Sequence, residues 1–304
     1  MPSEQFKRFM QQNPGGGGMP GLANMPGQGT KNESGEWMVP TMPADYKLVM
    51  PPLPEGFTGG EVIINGVRGI RVSAPDVKKG QVFMYVHGGG FTIGSAAWSL
   101  PFLLYTVRTL RIECYSIEYS LAPKSKFPTQ INECLAFYKG LLEKGYKKIV
   151  IGGESAGAGL SISVAHCIKD NKLPLPVAVI AMSGIGDMST KKELYKRDFM
   201  SEMGDVIKKV YAGDADLKNP YLSPIYGDFK GYPPLLLQAG GSESLAAESV
   251  RLAEAAARAD VDVLLHIWKD MGHTFALEFG KYPEADSAMQ EIVSFIKDKM
   301  EFVS

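Results

Sequence analysis

Residues 147–157, KKIVIGGESAG, set Ser155 between Gly153 and Gly157 where an apolar run meets a run of small residues. A hydroxyl in that position suits nucleophilic attack on a carbonyl carbon. The pattern predicts a short strand, a tight turn on Ser155 and a helix over AGAGLSISVAH, the strand–turn–helix setting of a nucleophile elbow. So sharp a turn strains the serine backbone, at a cost of about 1–3 kcal/mol. Strand and helix then pass so closely that side chains at Gly153 and Gly157 would collide.

A serine needs a base, an acid to orient the base, and donors for the oxyanion. The chain has four histidines: His87, His166, His266 and His273. His166 falls inside the helix after the nucleophile and His266 inside a strand pattern, where packed core histidines are the ordinary case. His273 sits in the loop DMGHTF beyond the last strand, at the sheet edge where the elbow also opens. It is the best base by position. For the acid, Glu243 comes first past the strand PPLLLQAGG; Glu248 should face elsewhere, and Asp270 is the runner-up. The order Ser155, Glu243, His273 is a known triad order.

The donors have their own pattern. The strand QVFMYV runs into His87-Gly88-Gly89-Gly90-Phe91. Gly88, Gly89 and Gly90 carry backbone N–H groups with no Cβ in the way, and with the Ala156 N–H they can surround a developing alkoxide. One such donor is typically worth about 2.7–4 kcal/mol of barrier. His87 reads as a brace for this loop. Glu118, Glu154 and Asp187 read as structural groups: Glu118 paired with a basic neighbour, Glu154 bonded to nearby backbone, Asp187 stabilising a loop.

These groups need a frame. EVIING and GIRVSA predict an opening hairpin, and from there strands alternate with helices. A helix is expected over 98–109, another from Thr129, and a last one from Pro283 to Phe302. Strands separated by helices of ten or more residues imply an α/β fold with a mostly parallel, doubly wound sheet. The polar stretch 190–213 interrupts the alternation and reads as an inserted lid. Residues 1–12 predict a short helix with Phe6, Phe9 and Met10 on one face. Residues 13–30 are rich in Gly, Pro and Met, and seven of the fifteen methionines lie in the first fifty residues. This segment reads as a flexible tail or as a flap over an apolar pocket.

With 304 residues the chain can bury one large core. Its 45% apolar and 21% charged content is that of a globular protein. A net charge of −1 gives no reason to expect nucleic acid or an anionic membrane as partner. No run reaches the ~18 apolar residues of a membrane span, and the N-terminus lacks the apolar region of a secretory signal. Cys114, Cys134 and Cys167 lie in apolar patterns without C-x-x-C spacing, so they read as reduced core residues in a cytoplasmic protein, with no metal site.

Together these residues resemble the hormone-sensitive-lipase-like family of α/β-hydrolases. The family's H-G-G-G stands at His87–Gly90, its elbow at Gly153–Gly157, and its D/E-Y-x-L-A-P stretch at Glu118–Pro123. Its N-P-x-x-S-P and G-x-P-P segments match Asn219–Pro224 and Gly231–Pro234. The resemblance implies an α/β-hydrolase fold over residues 51–304, with a cap from residues 1–50 and about 188–230. It implies a cofactor-free serine carboxylesterase for short- to medium-chain esters, and pairing of two copies through the last strand and helix. An amidase or deacetylase would use the same triad, whereas a hydrolase-fold receptor would be expected to lose part of it. Two positions depart from the family: Glu154 stands where Asp or Thr is usual, and Glu243 where Asp is usual.

Overall fold

The computed structural model describes residues 2–12, 38–190 and 199–302. Eight strands form one sheet in the order β1-β2-β4-β3-β5-β6-β7-β8. β1 (Thr58–Ile64) and β2 (Val67–Ser73) are the predicted hairpin, paired in register from Thr58↔Ser73 to Ile64↔Val67. Asn65 and Gly66 close it with φ of 45° and 81°, the left-handed pair that a two-residue hairpin turn needs. β2 is also antiparallel to β4 (Glu113–Ile117). From β4 onward every pairing is parallel, through β3 (Gln81–Val86), β5 (Lys148–Glu154), β6 (Ala178–Met182), β7 (Leu235–Gly240) and β8 (Val263–Trp268).

Both faces of the sheet are covered because successive strand residues are apolar on both sides. Phe83 and Tyr85 of β3, Val150 of β5 and Ile180 of β6 join one core with α2 (Leu100–Leu110) and α7 (Pro283–Phe302). Val82, Met84, Val86, Ile149 and Ile151 face α3 (Thr129–Glu143) and α4 (Ala156–Asp170). Further along, Val179, Ala181, Leu235 and Leu237 pack against α4 and α6 (Ala246–Ala257). Residues 156–168 of α4 are all buried. His166 is one of them, set edge-on to Phe229 with ring centres 4.7 Å apart, as a core histidine should be.

The helix expected over 98–109 divides in two. A 3-10 turn covers Ala96–Ser99 and α2 starts at Leu100. Ser95 Oγ accepts the Ala97 N–H at 3.2 Å and starts the turn, while Pro101 belongs at the opening of an α-helix, where no amide is needed. Glu118 is structural, though not through a contact with a basic neighbour. It accepts Ala96 N–H at 2.5 Å and Ser95 Oγ–H at 3.0 Å, closing this turn against the end of β4.

Of the stretch 190–213, α5 occupies Phe199–Ala212; residues 191–198 lie outside the described residues. Tyr211 of α5 stacks on Phe91, with centroids 3.8 Å apart and planes at 1°. Ile207 lies so close to Gly90 that a Cβ there would stand 2.9 Å from it. The helix therefore rests on the glycine loop. α1 (Glu4–Gln12) docks on the start of α7, where Phe6 and Phe9 each pack against Tyr282 at 5.1 Å. The rest of the Gly/Met-rich stretch, residues 13–37, is outside the described residues.

Two buried histidines carry a prediction. Burial lowers the pKa of His87 and of His166 from 6.5 to about 4. A group that titrates lower when folded adds stability above its unfolded pKa and loses it as pH falls. Each site is therefore expected to withdraw about 3 kcal/mol of stability as pH drops from 6.5 toward 4. Urea unfolding at pH 7 and pH 5 measures this, and His166→Gln should remove roughly half of the histidine-linked loss. An unchanged pH slope in that variant would contradict it.

Candidate active site

Parallel strands deliver their loops to one edge. Register pairs Val86 with Gly153, Glu154 with Met182 and Gly240 with Trp268. The next residues along each chain segment are His87, Ser155, Ser183, Gly241 and Lys269, so the glycine loop, the elbow and the two later loops share one rim.

Ser155 is buried and adopts φ 54°, ψ −121°. An L-residue holds such a conformation only when its neighbours enforce it. The Ser155 amide donates to the Met182 carbonyl at 2.8 Å, and the Ser155 carbonyl accepts from Ala158 and Gly159 at 3.1 and 3.2 Å. The close approach expected at the elbow is present. A Cβ on Gly157 would lie 2.0 Å from the Val86 carbonyl oxygen, and one on Gly153 would lie 2.8 Å from the Gly157 carbonyl carbon. The start of α4 is thereby pressed onto the end of β3, beside the glycine loop.

Glu243 and His273 meet. Nδ1 of His273 lies 2.5 Å from Glu243 Oε2. The other carboxylate oxygen, Oε1, accepts Ser183 Oγ–H at 2.6 Å and the Gly240 N–H at 2.7 Å. A carboxylate fixed at both oxygens holds the proton on Nδ1 and leaves Nε2 with its lone pair. The glutamate side chain thus reaches the imidazole directly. Asp270, the alternative acid, is exposed in the turn after β8. Glu248 is turned toward the backbone amides of Gly186 and Asp187, and Asp187 pairs with Arg251 at 2.8 Å, so neither joins the site. Ser183 is the residue that sequence reasoning missed. Its hydroxyl donates to Glu243 and accepts the Thr274 N–H at 3.0 Å, tying the loop of Glu243 to the loop of His273. Its position directly after β6, at the functional rim, was the available signal.

The glycine loop requires one correction. The Gly88 N–H donates to Glu154 Oε1 at 2.7 Å, so Gly88 is not a free oxyanion donor as expected. The cause is Glu154 itself: its long side chain lies buried under the loop and takes the first amide. Gly89 and Gly90, at φ 106° and 60°, hold a backbone conformation unsuited to L side chains. Ala156 stands at the first position of α4, where an amide has no acceptor within its own helix. His87 braces the loop from behind, stacked on Tyr119 at 4.2 Å with Nδ1 2.8 Å from the Gly88 carbonyl oxygen.

Glu154 is the most perturbed acid of the rim. Burial pushes its carboxyl from 4.5 up to about 7, against the approach of the Tyr85 hydroxyl, the Gly88 amide and the charge of His273.

The fold recurs in known proteins. A sequence profile of the α/β-hydrolase fold matches residues 83–277. A hormone-sensitive lipase from a metagenome library superposes with a TM-score of 0.75 at 33% identity, over 82% of this chain and 88% of that one. The chain belongs to the hormone-sensitive-lipase-like α/β-hydrolases. An esterase of the bacterial hormone-sensitive lipase family gives a TM-score of 0.76 at 32% identity, over 82% and 86% of the two chains. An acetyl-hydrolase of Streptomyces hygroscopicus is 27% identical over 80% of this chain and 84% of its own length. No helix among the described residues of this α/β-hydrolase is long and apolar enough to cross a membrane.

Proposed function

We propose that this ester hydrolase is a serine carboxylesterase in which Ser155, Glu243 and His273 act as the triad, with Gly89, Gly90 and Ala156 as oxyanion donors. The Ser155 hydroxyl attacks the ester carbonyl while His273 Nε2 takes its proton. Glu243 holds the imidazole and stabilises the imidazolium that forms. The three amides receive the tetrahedral oxyanion. His273 then protonates the leaving alcohol, and a water molecule deprotonated by the same nitrogen releases the acid from Ser155. The observation that carries this reading is the 2.5 Å Glu243–His273 contact on the rim that holds the strained serine.

Short- to medium-chain acyl groups suit the reading, as does the α5 helix resting on the glycine loop as part of a cap. Three unpaired buried cysteines suit a reducing, cytoplasmic compartment. β8 ends the sheet with one free edge, through which two copies can pair.

Wild-type protein is expected to hydrolyse p-nitrophenyl butyrate, and p-nitrobutyranilide more slowly because the amine is a poorer leaving group. Faster turnover of the anilide would favour an amidase. Ligand binding without turnover of either compound would favour a receptor.

A further inference from the structure

The loops after β6, β7 and β8 meet at one hydroxyl. Ser183 follows β6 directly, and its amide donates to the Gln238 carbonyl of β7 at 2.7 Å. Its backbone stands at φ 52°, a conformation that an L-residue keeps where its surroundings enforce it. The residue is 1% exposed. Ser183 Oγ–H donates to Glu243 Oε1 at 2.6 Å, and the same oxygen accepts the Thr274 N–H at 3.0 Å. Thr274 comes directly after His273, and its own hydroxyl donates to the His273 carbonyl at 2.8 Å. With its proton given to one loop and a lone pair to the other, the Ser183 hydroxyl has a fixed orientation.

We infer that Ser183 is a positioning residue for the hydrolysis, its hydroxyl holding Glu243 and the His273 loop in the relative placement that proton transfer requires. The inference rests on the serine-esterase reading above. Other buried serines show what a merely packed hydroxyl does. Ser161 and Ser249 bond the carbonyls of Gly157 and Leu245, each four residues back in the chain. The partners of Ser183 lie 60 and 91 residues away, and one of them is the carboxylate that meets the imidazole. The Gly240 amide also donates to Glu243 Oε1, but it sits three residues from Glu243 and makes no link to the His273 loop. Without the Ser183 hydroxyl the carboxylate keeps only that local bond on Oε1, and the Thr274 amide loses its acceptor. The imidazole can then shift, and displacements of about 1 Å cost large factors in rate.

The test is a double-mutant cycle on p-nitrophenyl butyrate, with kcat taken per folded molecule and the folded fraction read from near-UV circular dichroism. Ser183→Ala is expected to lower kcat by about 30-fold and to leave KM within about twofold, because both half-reactions use the same imidazole and no substrate contact is lost. In a Glu243→Ala background the same substitution should lower kcat by less than about threefold, since the group it orients is already gone. If Ser183→Ala does not fold, Ser183→Gly, which accepts the positive φ, goes through the same cycle. A loss below about threefold in the single variant, or an equal loss in both backgrounds, overturns the inference while leaving the esterase standing. A change confined to KM overturns it too, since it would place Ser183 against substrate. If the wild type cleaves no ester, the esterase reading fails and the inference falls with it.

Discussion

Ser155→Ala is expected to lower kcat for p-nitrophenyl butyrate by about 10⁶-fold, the scale found when a serine hydrolase loses its nucleophile. The substitution removes one oxygen atom and leaves the fold intact. Alanine at φ 54° has about the same backbone strain as serine, and the amide and carbonyl bonds of the turn do not involve the side chain. Circular dichroism and unfolding of the variant should therefore match wild type. A variant that keeps the wild-type rate would remove Ser155 from the chemistry. The size of the effect comes from the loss of the covalent route: amides and imidazole remain, but without a hydroxyl there is no acyl enzyme.

The second large effect separates two carboxylates. Glu243→Ala is expected to cost about 10⁴-fold in kcat, because the imidazole loses both its tautomer and its orientation. Asp270→Ala should change kcat by less than about threefold, since exposed groups outside the reacting centre contribute little. The geometry behind this contrast is specific. Glu243 is 4% exposed, lies 2.5 Å from His273 Nδ1 and accepts two further hydrogen bonds on its other oxygen. Asp270 lies exposed in a left-handed turn at φ 65°. Steady-state kinetics of both variants on one ester measure the difference. Loss of turnover in Asp270→Ala alone would reverse the assignment.

Much of this arrangement was legible in the sequence because local chemistry dictates it. The elbow needs Gly153 and Gly157 whatever the rest of the chain does, since a Cβ at either would collide with neighbouring backbone. Asn65-Gly66 between two alternating runs fixes the opening hairpin in the same way. Apolar strands spaced by helices then put Ser155, Glu243 and His273 on one rim by topology alone. What could not be read depended on which atom reaches which. Three consecutive glycines look alike in sequence, yet the buried Glu154 side chain occupies the amide of the first. The importance of Ser183 arises only when the loops after β6, β7 and β8 meet, a contact across 60 residues to Glu243 and 91 to Thr274. The division of 96–110 into a 3-10 turn and α2 likewise needed Glu118, 22 residues from Ala96, to accept an amide.

The glutamate at position 243 shows how a departure from a family pattern can be absorbed. The Gly240 amide and the Ser183 hydroxyl donate to one carboxylate oxygen of Glu243. The near oxygen still meets the imidazole.

The proposed mechanism requires that Ser155 become covalently acylated with His273 as its base. Labelling with phenylmethanesulfonyl fluoride at pH 8, followed by peptide mass spectrometry, tests it most directly. One sulfonyl adduct is expected, on the peptide containing Ser155, formed with loss of esterase activity and nearly absent in His273→Ala. An adduct on another residue, or complete inactivation with Ser155 unmodified, would contradict it.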